Sequence, residues 1–295
     1  MGEVWSVGIF AEDNNYEIGL PLKNLIKIFN AKKVRSSKKH VHTYADPFLF
    51  VYEEMLFLFT EIQETGGTGY INAWKTNDLK NWQNLGSVLK KQVHYSYPFL
   101  FHDAKSDKIY LLPEAGQKGG IYLYEFENFP EKIKTEIKIV EGNYADSNII
   151  ILDNVYYLIT TNIDTNELEL FWSDDLVVSI WQRHPASPLT ADRRISRNGG
   201  GFIQVNKKLY RVAQNTKTKY GEGIVILEVL RLNTYEYLEK VIVEDFKPAI
   251  DFKWQLNGRH HLSLVEFKEQ KIVAIDGLQD DFFLNKALNL IYKFI

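Results

Sequence analysis

Three observations predict an all-β chain, a five-bladed β-propeller of four-stranded blades, with short peripheral helices near the N-terminus and at the C-terminus. A heptad recurs about every fifty residues, as YADPFLF (44–50), YSYPFLF (95–101) and, more weakly, YADSNII (144–150). Two further apolar runs follow, FLFTE, YLLPE, YLITT and YRVAQ in one slot and YINAW, IYLYEF, LELFW and IVILEVL in the next. The units then end alike, TNDLKNW (76–82) and SDDLVVSIW (173–181) each setting an acidic-Leu pair just before a tryptophan. Short β-branched and aromatic runs separated by Gly, Asn and Asp turns read as strands. Four of them per unit of roughly fifty residues is the propeller-blade pattern.

Taken in order, WSVGIF (5–10) supplies an outer strand that closes the ring and removes a free edge. GLPLKNLIKIFN (19–30) spaces its Leu, Ile and Phe as a helix would, and the basic run KKVRSSKKH (32–40) reads as a solvated linker in preference to a binder of an anionic surface. The blades fall at about 44–94, 95–143, 144–195, 196–250 and 251–277, the fifth showing only HHLSLVEF and IVAID as clear strands. DFFLNKALNLIYKFI (281–295) is a second peripheral helix, and the whole chain is expected to be a single domain.

Composition narrows the function. Of 295 residues, 45% are hydrophobic and 14% aromatic, enough for a sizeable core. A net charge of −3 gives no reason to expect a nucleic-acid polymer as partner. The absence of cysteine rules out disulfides and thiolate metal sites and fits a reducing, cytoplasmic setting. The first residues lack a signal-peptide pattern and there is no run of eighteen apolar residues, so neither export nor a transmembrane segment is expected.

In a blade the first strand lines the channel and the second runs antiparallel to it, so the start of one meets the end of the other at a common mouth. Counting pairs Asp46 with Glu61, Tyr97 with Glu114, Asp146 with Thr161, Gly199 with Gln214, and His261 with Asp276. The apolar members repeat because every blade must pack; the polar member varies because it faces a shared cavity. Converging carboxylates raise the pKa of at least one of their number. One carboxyl kept protonated beside one kept ionised is what glycoside cleavage requires. Tyr97, Tyr95, Trp74 or Trp172 would offer flat faces for sugar rings, and His94 reaches the mouth. Arg193, Arg194 and Arg197 precede the glycine run 199–201 and suit a phosphate or an acidic sugar. Adjacent strand residues face opposite ways, so only one of His260 and His261 faces the channel. No ligand spacing on one element supports a metal, and no cofactor fingerprint occurs.

The ordered set ADPFLF, HYSYPFLF, IYLLPEAG, LELFWSDDL with WQRHPASPL, RVAQNTKTKYGEGI and GRHHLS resembles the propeller domain of glucosamine inositolphosphorylceramide transferase-like proteins. The Asp-Pro start resembles, more distantly, family 32 and 43 glycoside hydrolases. The resemblance implies a carbohydrate-active enzyme that cleaves or transfers a glycosyl group in surface-glycan metabolism, acting on a sugar, an oligosaccharide or a nucleotide sugar. It makes Asp46 the general base or nucleophile; Glu114 stands as general acid and Asp146 as the group that tunes it, roles that can be exchanged. Glu61, His94, Tyr97, Arg194, Arg197, Gln214 and His261 are the expected substrate contacts. A non-catalytic glycan-binding propeller and a glycosyltransferase using a phosphorylated donor remain the alternatives.

Overall fold

The computed structural model describes residues 3–31, 41–64, 66–178, 180–250 and 252–280. Strands dominate, interrupted by short 3-10 turns such as Gly116–Lys118 and Lys253–Gln255. Each heptad falls on a strand, Val41–Tyr52, Ser96–Asp103 or Tyr144–Leu152, with Tyr95 just before the second. Each is followed by an antiparallel neighbour ending in the second apolar run: Met55–Glu64, Lys108–Glu114 and Val155–Asn162.

Two sheets have four strands and one has five, in which Arg197–Asn198 and Ile203–Val205 both pair with Lys208–Asn215. The largest sheet, of eight strands, joins Leu262–Phe267, Gln270–Asp280 and Glu3–Glu12 to the first heptad strand through one parallel pair, Trp5 with Thr43. Glu3–Glu12 lies antiparallel to Gln270–Asp280 from Glu3 opposite Asp280 to Glu12 opposite Lys271. The start of the chain therefore pairs with a strand near its end.

The helix expected over 19–30 is not formed. Leu25–Asn30 is a strand on the outer edge of Glu3–Glu12, with Gly8 opposite Ile28. The free edge offers the backbone a ladder of hydrogen bonds, and that tertiary option overrides the helical spacing. The run 32–40 and the expected helix 281–295 lie outside the described residues.

The leading strands are joined to one another by hydrogen bonds. The Tyr97 N–H donates to Asp46 Oδ2 (3.0 Å), Asn148 Nδ2 donates to the Tyr97 hydroxyl and to the Gly200 carbonyl (3.0 Å each), Leu262 N–H donates to Gly199 O (2.7 Å), and Leu49 N–H donates to Ser263 Oγ (3.0 Å). Around this axis the sheets pack through aromatic and aliphatic layers; Phe59, Leu111, Leu158, Val212 and Ile275 are completely buried. Each such side chain contributes about 1.5–3 kcal/mol by leaving water.

Candidate functional site

The polar member of each heptad occupies a β-bulge. Pairing slips between Ala45 and Phe48, between Ser96 and Phe99, and between Ala145 and Asn148. At the slips Asp46, Tyr97 and Asp146 have φ of 51°, 47° and 52°, in the left-handed region. Asp tolerates that region; for Tyr it is an outlier that surrounding contacts must hold. The bulge re-aims the side chain. It also corrects the counted pairing by one residue in three sheets, with Glu61 opposite Ala45, Glu114 opposite Ser96 and Thr161 opposite Ala145; in the fourth, Gln214 lies opposite Arg197, two residues from the counted Gly199. In the fourth sheet Gly200 takes the equivalent place, where a Cβ would lie 2.0 Å from the Leu262 carbonyl oxygen.

Asp46 is 5% exposed. Its Oδ2 accepts the Tyr97 N–H and its Oδ1 lies 2.9 Å from His260 Nε2. The other imidazole nitrogen, Nδ1, is 3.0 Å from Asp276 Oδ2, an ion-pair contact without hydrogen-bond alignment. Asp276 Oδ1 accepts the N–H groups of His260 and His261, at 3.0 Å each. One imidazole thus bridges two buried carboxylates. Burial works against the His260 charge, but Asp276 and Asp46 outweigh it and push its pKa up to about 10. Burial likewise opposes the Asp46 charge; the hydrogen bond and charge of His260 overcome it and hold Asp46 at about 2.

Asp146 carries a second cluster. Its Oδ2 accepts Arg197 Nε at 2.6 Å and Gln214 Nε2 at 2.9 Å. Arg197 also reaches Glu114, with Nη2 3.6 Å from Oε2. Glu114, whose side chain is 22% exposed, shares a hydrogen bond with Asp146. Burial and the neighbouring Asp146 charge raise its pKa well above the carboxylate range against the pull of Arg197, and the Asp46 charge adds to the rise. The two carboxyls are thus shifted in opposite directions, Glu114 upwards and Asp46 downwards.

A third pair flanks them. The Gly69 N–H donates to His94 Nδ1 (3.0 Å), leaving Nε2 to face Glu61 Oε1 at 3.2 Å. Burial raises the Glu61 pKa, with the Asp46 charge adding to it, and the Glu61 hydrogen bond raises that of His94. A Cβ at Gly69 would sit 2.6 Å from both Glu61 Oε1 and His94 Cε1, so only glycine admits this contact.

Asp46, Glu61, His94, Glu114, Asp146, Arg197 and Gln214 are brought together. Other expected contacts lie elsewhere. The Tyr97 ring is buried and its hydroxyl is spent inside the channel, donating to Gly200 O at 2.8 Å. Tyr95 and Trp74 are buried too, and Trp172 packs in the core of the third sheet. None of the four offers a flat face to a sugar. Arg194 turns to Asp192 (2.6 Å) and Glu244 (3.9 Å). His261 is completely buried with its ring edge-on to Phe48, and burial brings its pKa down to about 4, so it is neutral.

His260, rather than His261, contacts Asp46, and the sequence reading also missed Tyr220. Tyr220 follows Gln214 on the turn at the mouth end of its strand, a position that chain direction alone could have flagged. As metal ligands, Asp46, His260 and Asp276 present atoms within 4.8 Å of one another. In this arrangement both His260 nitrogens already face carboxylate oxygens, Asp46 Oδ1 at 2.9 Å and Asp276 Oδ2 at 3.0 Å, so the three groups form an internal ion-pair cluster.

Residues 3–278 match the family described as glucosamine inositolphosphorylceramide transferase 1, N-terminal. The chain is 27% identical over 298 residues to the glucosamine inositolphosphorylceramide transferase 1 of Arabidopsis thaliana, covering 92% of this chain and 39% of that protein. It is 29% identical over 247 residues to the protein of the same name from Oryza sativa subsp. japonica, covering 79% of this chain and 33% of the relative. Among solved structures, a thermostable family-43 glycoside hydrolase superposes with a TM-score of 0.59 at 12% identity, over 78% of this chain and 83% of that one. An endo-1,4-beta-xylanase from Bacteroides thetaiotaomicron gives 0.55 at 17% identity, over 80% and 86%. At such identities the likeness concerns the fold, that of the family-43 propeller enzymes. The chain belongs to the glucosamine inositolphosphorylceramide transferase N-terminal family.

Proposed function

We propose that this chain is a carbohydrate-active enzyme domain, a five-bladed propeller whose mouth takes a glycosyl unit. Glu114 donates a proton to the departing oxygen, Asp46 supplies the ionised carboxylate, and Asp146 with Arg197 sets the acidity of Glu114. One arrangement carries the reading: Asp146 and Arg197 crowd Glu114 while His260 lies 2.9 Å from Asp46, which drives the Glu114 pKa up and the Asp46 pKa down. Two carboxyls pushed apart in this way divide acid and base roles between them. The names of the plant relatives support a sugar substrate; transfer, rather than hydrolysis, is an extension from proteins of which this chain spans 39% or less.

The test is turnover of activated glycosides and sugar nucleotides by the parent, Glu114→Gln and Asp46→Asn. Loss of a general acid lowers the rate about 100-fold or more. Parent-like rates in both variants overturn the assignment.

A second reading, glycan binding without catalysis, draws on a specific contact pattern. Both Asp46 oxygens are already engaged, one by the Tyr97 N–H and one by His260. Glycan binding with no turnover, undiminished in Glu114→Gln, would favour it.

A further inference from the structure

The buried aromatics of the inner strands leave the mouth without the flat apolar face that a sugar needs, and one residue outside the predicted set supplies it. Tyr220 stands on the turn between strands Lys208–Asn215 and Gly223–Leu232. It is 48% exposed, yet its ring lies against site residues: 5.0 Å from His260, 6.1 Å edge-on to Trp5, and 5.6 Å from the Arg197 guanidinium carbon. The ring thus borders His260 of the Asp46 cluster and Arg197 of the Asp146 cluster.

The turn that carries it is tied down on both sides. Thr216 N–H donates to Arg193 O at 2.8 Å, Arg259 N–H to Gly221 O at 2.9 Å, and Lys219 Nζ to Asn257 O at 2.7 Å. Gly221 has φ 65°, and a Cβ there would meet Trp5 Cη2 at 2.6 Å. The neighbour of Tyr220 is therefore a glycine for backbone and steric reasons alike, and the turn is seated directly on Trp5. A tyrosine ring has few rotamers to lose and presents an apolar face with a polar tip. Held half-exposed at the entrance, it can cover the C–H face of a pyranose without further ordering.

We propose that Tyr220 is the sugar-stacking and specificity-determining residue of this mouth, its ring forming the outer wall against which a glycosyl unit lies while Glu114 and Asp46 face it from within. The inference rests on the carbohydrate reading above. Its binding term is the aromatic face, and the hydroxyl is secondary.

The experiment is NMR titration of the parent, Tyr220→Phe and Tyr220→Ala with a panel of methyl glycosides of common hexoses and amino sugars, extended to their disaccharides. Thermal melts check that each variant folds. The panel member bound best by the parent should bind Tyr220→Phe within about threefold and Tyr220→Ala about tenfold more weakly, with saturation transfer to the Tyr220 ring protons in the parent. Equal affinity in a folded Tyr220→Ala overturns the inference while leaving the carbohydrate reading intact. Failure of the parent to bind any panel member counts against the carbohydrate reading itself and removes this inference with it.

Discussion

His260 Nε2 lies 2.9 Å from Asp46 Oδ1 while its Nδ1 lies 3.0 Å from Asp276 Oδ2, so a single imidazole bridges carboxylates contributed by the first heptad strand and by a strand near the end of the chain. The lowered pKa of Asp46 depends on this ring.

Replacing His260 by Asn should destabilise the fold at pH 7 by about 3–5 kcal/mol, because two buried carboxylates lose their counter-charge. The pH dependence has a definite sign. His260 is raised to about 10, so its contribution is fully present below the unfolded value of about 6.5 and is lost as pH rises through about 10. Urea melts should therefore show the gap between parent and His260→Asn narrowing from pH 7 to pH 10. A gap that stays constant over that window would show that the imidazole is not charged in the folded protein.

Glu114 owes its raised pKa to burial and to the adjacent Asp146 charge. Asp146→Asn removes that charge and also frees Arg197 from its 2.6 Å contact. Both changes favour the ionised form of Glu114, so its carboxyl should titrate at lower pH in the variant. Carbon-13 NMR of labelled Glu side chains reads this directly, without a substrate. An unmoved titration would exclude Asp146 as the tuning group.

A carboxyl whose folded pKa exceeds its unfolded value costs stability as pH rises from the unfolded value towards the folded one. Glu114→Gln should accordingly be more stable than the parent at pH 8, in the same preparation that has lost turnover. Greater stability with lost activity separates a catalytic deletion from a folding defect. A variant less stable than the parent at that pH would contradict the strained carboxyl.

Gly200 has φ 152° and no room for a side chain against the Leu262 carbonyl. Gly200→Ala should cost about 3 kcal/mol or more through backbone strain and overpacking. It should also loosen the Tyr97 hydroxyl, which exchanges hydrogen bonds with Gly200 on both sides. Chemical denaturation and the Tyr97 ring resonances report the two effects together.

The repeat was legible because packing is local and periodic. Phe48, Phe99 and their equivalents recur because every leading strand meets the same kind of neighbour, and alternation along a strand marks which face is buried. The acidic heads Asp46 and Asp146 stood out against that apolar background. The stretch 19–30 misled because helical spacing and a short edge strand share the same apolar residues. The free edge of Glu3–Glu12 decides between them, and an edge is not a property of the segment itself.

Sequence by itself determined an all-β chain built from repeated sheets, with carboxylates at the heads of strands that share one end. Tertiary structure alone decided that His260 and not His261 meets Asp46, that the Glu114 pKa is driven up while that of Asp46 is driven down, that Tyr97 is buried, and that Tyr220 lies half-exposed against His260 and Arg197. The physical reason is that protonation and contact depend on distance and desolvation between groups far apart in the chain, here 51 residues from Asp46 to Tyr97 and 230 from Asp46 to Asp276, whereas periodicity records only what each residue's immediate neighbours require.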